Sequence, residues 1–419
     1  MRVFHDRPYV IADAILNTMG SMQHTFGVRE LIRAGLQDLD KARELLQELQ
    51  DNGVSDDRLQ SLMATLEHSC DPDVALRNLI DIIKALQSQG RRFDDIVTSG
   101  EGLTRLVTVL GVSDEMGKLM RFRPELVAAA ANDACESHLY NHAQRRAHVL
   151  EAVGADPQES AMPKAGLPLS EAATALRQTY RKQLAAIMAQ DAMETDPTTI
   201  QPRISQELSD LADAALEGAL AIARNEIEGS EHVRFTIIGM GKLGAQELNY
   251  VSDVDLIYVV EPADPDTNGM TLNRIGTKLA TTLQRVCQSV IMGVAEPTLW
   301  QIDGGLRPEG KDGPLVRRLE SHEAYYEQWA ENWEFQALLK ARPVAGDPEL
   351  GKAYMDMTRP FVWTASKRDN FVYDCQQMRK RVEDLIPAPL KDREIKLGRG
   401  GLRDVEFTVQ MLQLVHGRS

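Results

Sequence analysis

The sequence predicts an α+β chain, mostly helical, in which a small α/β core is flanked by helical regions. Three observations lead there. Apolar residues recur at three- and four-residue steps through residues 25–150, strand-like apolar runs concentrate in about 233–304, and helical patterning returns afterwards. The first region reads as amphipathic segments over Val28–Leu49, Asp73–Leu86 and Leu103–Leu119, separated by Gly, Asp-Pro and Asn-Gly breaks. Asp71-Pro72-Asp73 has the composition of a helix start, with Asp as the cap and Pro beside it. No fixed-period repeat emerges, so a solenoid is not indicated. Ala155–Ser170 reads as a linker, and helices over about 171–192 and 204–228 lead into a strand at Val233. Leu272, Ile275, Leu279, Leu283, Val286 and Val290 fall at helical spacing, an amphipathic connection between core strands. Residues 325–342 read as one helix stopped by Pro343, with Trp329, Trp333 and Ala337 on one face. A Pro break follows at Ile386-Pro387-Ala388-Pro389, then a Gly/Arg-rich turn into a last helix. The expected domains are a helical region 1–165, a core with its leading helices 166–320, and a helical region 321–419 carrying the Gly/Arg motif.

Composition narrows the function. Of 419 residues, 62 are Asp or Glu and 47 Lys or Arg, a formal charge of −15. Such a chain repels a nucleic-acid backbone unless it carries a basic patch, and no long basic run exists. Cys70, Cys135, Cys287 and Cys375 are scattered without metal-ligand spacing, and Cys287 sits on an apolar helical face as a core residue. With no membrane-span-length apolar stretch and no signal-peptide core, a reduced cytoplasm is the expected location.

The chemistry concentrates in FTIIGMGKLGAQELNYVSDVDLIYVV, residues 235–260. It reads as strand, turn, short helix, strand, with Asp253 and Asp255 two apart at the second strand's start. Strand side chains alternate, so both carboxylates face the same way. Their mutual repulsion is relieved by a divalent cation, and Mg²⁺ suits an all-oxygen site that also bridges to substrate phosphates. Gly241 stands where the backbone must come close to a bulky anion. Competing readings remain open. Gly239-Met240-Gly241-Lys242-Leu243-Gly244 fits the dinucleotide fingerprint, with Glu261 about twenty residues on, although the segment between the strands is short and polar for a crossover helix. Acids are also common in turns, which makes a solvated strand start the plain alternative for Asp253 and Asp255.

A third carboxylate is available. Thr298–Asp303 reads as a strand ending in Asp303, placed to lie beside Asp253 and Asp255. The following Gly-rich loop carries Arg307 and Lys311 toward a phosphate, or presents them as surface cations.

These residues resemble the nucleotidyltransferase superfamily that includes DNA polymerase β and the aminoglycoside nucleotidyltransferases: a Gly-containing turn, a short helix, then Asp-x-Asp opening a strand. Lys242 departs from the pattern, which usually has Ser after the Gly. The longer string GMGKLGAQELNYVSDVDLIY resembles the first of two such domains in the glutamine synthetase adenylyltransferase/adenylyl-removing enzyme family. The resemblance covers about residues 70–419 and implies a polymerase β-like core with Asp253, Asp255 and Asp303 as metal-binding, catalytic acids for one or two Mg²⁺ ions. Asp303 falls in the family's Asp-x-x-Leu-Arg-Pro-x-Gly segment; many relatives have Arg where this chain has Gly305. Gly241, Lys242, Ser252, Arg307, Lys340 and Arg342 are the implied nucleotide and phosphate contacts, while Lys340 and Arg342 are equally explained as cations at a helix C-terminus. Ile395–Phe407, with Arg399 and Arg403, matches a further family segment suited to anions.

The turn Leu248-Asn249-Tyr250-Val251-Ser252-Asp253 is like the N-terminal, adenylyl-removing copy. It implies phosphorolysis of adenylyl-tyrosine on glutamine synthetase, giving ADP, and truncation before the second domain. The implied partners are adenylylated glutamine synthetase, a PII-type signalling protein, nucleotide and phosphate. Adenylyl transfer from ATP, a non-catalytic nucleotide-sensing module and a small-molecule nucleotidyltransferase are the alternatives.

Overall fold

Capped amphipathic helices build the first part of the computed structural model, which describes residues 26–132, 140–265 and 267–417. The described residues fall into two units, those within 1–136 together with 188–195, and those within 137–187 together with 196–419. The first is helical: α1 (Val28–Arg33), α2 (Leu39–Asp51), α3 (Asp56–Leu66), α4 (Pro72–Ser88), α5 (Gly100–Val112), α6 (Asp114–Phe122) and α7 (Pro124–Ala131). Asp38, Ser55, Asp71, Ser99 and Ser113 each accept a backbone N–H at a helix start. Asp71 caps α4 with Pro72 at its first turn, as the sequence predicts. Two expected helices are each divided. Gly35, at φ 80°, turns the chain between α1 and α2. Ser113 ends α5 and caps α6 in the same residue. Leu46, Leu49, Leu76, Leu79, Ile83, Leu106 and Leu110 are among the buried side chains.

The second unit begins with α8 (His142–Ala152), α9 (Leu169–Met193) up to residue 187, and α10 (Pro197–Glu226), and continues into β1 (Val233–Met240). The stretch before α9 is loop, as expected, yet it is pinned: Ala165 donates to Ala221 and Gly166 to Val153. One turn of helix, α11 (Gly241–Gly244), joins β1 to β2 (Val254–Pro262), and α12 (Gly269–Gln288) leads to β3 (Ile302–Asp303). After β4 (Val316–Arg317) come α13 (Leu319–Gln328), α14 (Asn332–Leu338), β5 (Arg342–Gly346), α15 (Pro348–Thr364), α16 (Phe371–Asp384) and α17 (Leu402–His416).

The sheet runs β3-β2-β1-β5, with β4 also on β2. β1 is antiparallel to β2 and β5, while β2 is parallel to β3 and β4. Period-two alternation gives it two apolar faces, both covered by helices. Phe235, Ile237, Leu256, Tyr258 and Val260 pack with Leu216, Leu220, Leu279 and Leu283 of α10 and α12. Ile238, Met240, Ile257 and Val259 pack with Tyr326, Phe335, Leu338 and Tyr354 of α13, α14 and α15.

The mostly helical α+β expectation holds, with local corrections. The predicted strand 298–303 shortens to Ile302–Asp303, and strands continue past 304 as β4 and β5. The single helix expected over 325–342 is two. It breaks at Trp329, which is 73% exposed, and restarts where Glu331 and Glu334 form a reciprocal capping box. Pro343 therefore stops no helix; it lies inside β5, a sheet edge where a missing N–H is tolerated. Val290 falls beyond α12 and is exposed, while the rest of its predicted stripe is buried. Cys70, Cys287 and Cys375 are free thiols, and burial raises the Cys287 thiol to about 12; Cys135 lies outside the described residues. No helix among the described residues is long and apolar enough to cross a membrane.

Candidate functional site

The site forms where β1 ends and β2 begins. Val254, Leu256 and Tyr258 fill one face of the sheet, so Asp253 and Asp255 belong to the other, the face of Ile257 and Val259. Asp303 pairs in register with Asp255 across the parallel β2–β3 contact, which puts the third acid on that face too. Gly241 holds φ 55°, and a Cβ there would fall 2.6 Å from Asp255 Oδ2. The absence of a side chain is what leaves room beside that oxygen. The result is three carboxylates on one face of the sheet beside a bare backbone corner.

Electrostatics reflect the crowding. Burial, then the charges of Asp253 and Asp303, raise the Asp255 carboxyl to about 6, against the partial relief of Arg403 and Lys396. The Gly/Arg segment leading into the first turn of α17 thus brings positive charge to bear on Asp255. Its fold is fixed locally: Arg379 donates to Gly398 O (2.9 Å) and pairs with Asp404 (2.5 Å), while Gly400 donates to Asp404 (2.5 Å).

The remaining predicted contacts divide. Gly305 donates its N–H to Asp303 Oδ1 (2.7 Å), and Arg307 braces that loop through the carbonyls of Gly304 (2.6 Å), Lys311 (3.0 Å) and Gly313 (3.1 Å). Arg307 so placed holds the loop that presents Asp303. Ser252 Oγ donates to the carbonyl of Asp253 (2.9 Å), and Lys242 sits half-buried in the turn. Lys340 pairs with Glu247 at the turn's end (2.6 Å). Arg342 points away from the acids, binding Asp213 of α10 and the carbonyls of Leu243 and Gly244.

The dinucleotide reading of the glycine turn fails on topology. It requires a parallel crossover after β1, and β2 instead returns antiparallel beside it.

A second cluster escaped the sequence reading. His142, Asp210 and Asp213 bring ligand-type atoms within 4.8 Å of one another. Asp213 accepts both Nη1 (2.5 Å) and Nη2 (3.1 Å) of Arg342, and its hydrogen bond with His142, then its charge, raise that imidazole above its usual value. A guanidinium already supplies the positive charge there. Acids at 207, 210, 213 and 217 have the spacing of one helical face, and the Ala and Leu residues crowded between them are the signal the sequence offers.

Comparison with known proteins adds family evidence. A family model described as glutamate-ammonia ligase adenylyltransferase matches residues 103–357, and one described as GlnD PII-uridylyltransferase matches residues 376–419. The chain is 75% identical over 390 residues to the bifunctional glutamine synthetase adenylyltransferase/adenylyl-removing enzyme of Bifidobacterium longum (strain DJO10A), covering 93% of this chain and 36% of that protein. Proteins of the same name from Cutibacterium acnes and Streptomyces avermitilis are 43% and 41% identical, over 93% and 96% of this chain and 39% and 38% of theirs. The chain thus spans little more than a third of the length of these relatives.

Proposed function

The chain belongs to the glutamate-ammonia ligase adenylyltransferase family, and from that premise we propose that it removes AMP from an adenylylated tyrosine of glutamine synthetase by Mg²⁺-dependent phosphorolysis. The observation that carries the reading is the register pairing of Asp255 with Asp303 beneath Gly241. Three carboxylates with a glycine corner fit a Mg²⁺ ion held between protein and phosphate oxygens. In this reading HPO₄²⁻ attacks the α-phosphorus, a P–O–P bond forms, and the P–O bond to tyrosine breaks. ADP leaves, and the proton carried by the attacking phosphate ends on the phenol.

Mg²⁺, when bound, supplies the positive charge that lets two anions meet. Asp253, Asp255 and Asp303 would hold it, and the Gly305 N–H with the Arg307-braced loop fixes the Asp303 carboxylate. Gly241, Lys242 and Ser252 are assigned to phosphate oxygens. The charges of Lys396 and Arg403 are felt at Asp255, which lowers the cost of bringing in an ionised nucleophile. No strong base is needed in this direction. Adenylylation from ATP, the second reading, requires a phenol of pKa about 10 to lose its proton in place. The likeness of Leu248–Asp253 to the adenylyl-removing copy favours removal. The match over residues 376–419 is the reason to propose a PII-type signalling protein as regulator.

Direction is read by incubating the chain with adenylylated synthetase, Mg²⁺ and phosphate and measuring ADP, beside AMP incorporation from ATP into unmodified synthetase. Faster ADP release is expected. Faster incorporation would reverse the assignment and leave a nucleotidyltransferase in place.

The raised Asp255 carboxyl sets a second expectation. Below about pH 6 a cation must displace its proton, so apparent Mg²⁺ affinity should fall about tenfold from pH 7 to pH 5 and level off above pH 7. Isothermal titration at three pH values tests this, and equal affinity at pH 5 and 7 would remove Asp255 from the ligand set.

A further inference from the structure

The Gly241 turn is gripped from behind by groups that the reaction above does not use. Isolated single-turn helices such as α11 are unstable, and their terminal carbonyls lack partners. Here Arg342 of β5 adds to their partners, donating Nη2 to Leu243 O (3.1 Å), which also accepts the Gln246 N–H (3.2 Å), and Nε to Gly244 O (3.3 Å). Its fork is in turn oriented by Asp213 of α10, through Nη1–Oδ2 (2.5 Å) and Nη2–Oδ1 (3.1 Å). The Asp213 carboxylate is fully buried, and His142 Nε2 stands 3.3 Å from it on the other side. Two further bonds tie the end of the turn to the same helix: Gln246 Nε2 to Asp210 (3.1 Å) and Leu248 N–H to Ser209 Oγ (3.3 Å). Gln246 holds φ 56°, a conformation that is costly without such anchoring. α10 therefore acts as a backplate, and Arg342 is the bolt between it and the turn.

We propose that Asp213 is a positioning residue: by fixing Arg342 against the carbonyls of Leu243 and Gly244, it sets Gly241 in place beside Asp255. The planar guanidinium is suited to the task, since its donors leave in fixed directions and can bind a carboxylate and two carbonyls together. This assigns Arg342 to the protein's own backbone rather than to substrate phosphate. The inference rests on the nucleotidyl-transfer reading for its functional consequence, though not for the geometry.

The test compares Asp213→Asn and Asp213→Glu in the full chain by amide hydrogen exchange, thermal midpoint and steady-state kinetics on adenylylated synthetase. In the Asn variant, exchange over residues 241–248 should quicken about tenfold or more while residues 233–240 change less than about twofold. At a temperature where the variant is fully folded, kcat should fall about tenfold or more with KM for phosphate within about threefold, the signature of lost alignment rather than lost binding. Asp213→Glu, which keeps the charge, should recover part of both effects. If Asp213→Asn does not fold, the paired change Asp213→Asn with Arg342→Gln removes both charges and should loosen the turn in the same way. Unchanged protection over 241–248 in a folded variant overturns the proposal, as does a kcat deficit that disappears wholly on cooling. A wild-type chain that releases no ADP would defeat the functional reading, and the exchange measurement would still decide the positioning role.

Discussion

Asp255→Asn is expected to lower phosphorolysis by on the order of a thousandfold or more while leaving the protein as stable as before, or more so. The two effects have opposite signs because they come from the same charge. In the proposed site, Asp255 would be one of three carboxylates that neutralise a bound cation. Without cation, the carboxylate is held among Asp253 and Asp303 in a partly buried place, and its carboxyl is raised to about 6. An acid raised above its unfolded value near 3.8 destabilises the folded state as pH climbs between the two values, since the unfolded chain gives up its proton first. The penalty is complete above about pH 6 and absent below about pH 4. Removing the charge should therefore add roughly 1–3 kcal/mol at pH 7.5, allowing for solvent screening, and nothing at pH 3.5. Thermal melts of metal-free protein at the two pH values, beside kcat at saturating Mg²⁺, read both halves. Near-normal turnover, or a loss of stability at pH 7.5, would sink the assignment of Asp255.

Gly244→Ala is the change expected to damage the fold most among the glycines of the turn. A Cβ there would lie 1.7 Å from the carbonyl of Lys340 and 2.4 Å from that of Gly239. Both obstacles are backbone, so no rotamer relieves them. The turn must lift away from the chain leading into β5, which breaks the Arg342 bonds to Leu243 and Gly244. A cost of roughly 3 kcal/mol or more follows, with loss of activity in whatever remains folded. Gly269→Ala is the control. It opens α12, where a Cβ meets nothing within 4 Å, and the change should stay within about 0.5 kcal/mol. Chemical denaturation of the two variants compares them directly, and similar midpoints would show that the turn yields more readily than its packing suggests.

The sequence reading found the acids because their signal is local. β1 and β2 announce themselves by mostly apolar runs, and the Asp-x-Asp spacing fixes a shared face without any knowledge of what lies opposite. Asp303 was reachable too, because the amphipathic stripe of α12 implied that its strand returned beside β2. What escaped depends on distant partners. β5 carries Pro343, a residue that ordinarily ends a helix, and only its edge position makes it acceptable in a strand. The break at Trp329 rests on a capping box whose cap residue is Glu331, outside the usual Ser, Thr, Asp and Asn. Asp210, Asp213 and Glu217 have the spacing of a solvated helical face, and the partners that make their burial tolerable lie at Gln246, Arg342 and Arg146. Arg342 was drawn to phosphate by its charge, while its observed bonds are to the protein itself.

The order of strands has a consequence for a chain made one residue at a time. β1 is flanked by β2, which follows it closely, and by β5, whose last residue is Gly346. Between the emergence of Met240 and that of Gly346 from a ribosome, β1 has one edge paired and the other bare. At ordinary rates of synthesis that interval lasts roughly 5–20 s, long compared with hairpin formation. The waiting strand is VRFTIIGM, apolar and nearly uncharged, and an unpaired edge of that kind invites strands from other nascent chains. Slow translation between these two points should therefore lower the yield of soluble protein, and prompt delivery of β5 should raise it.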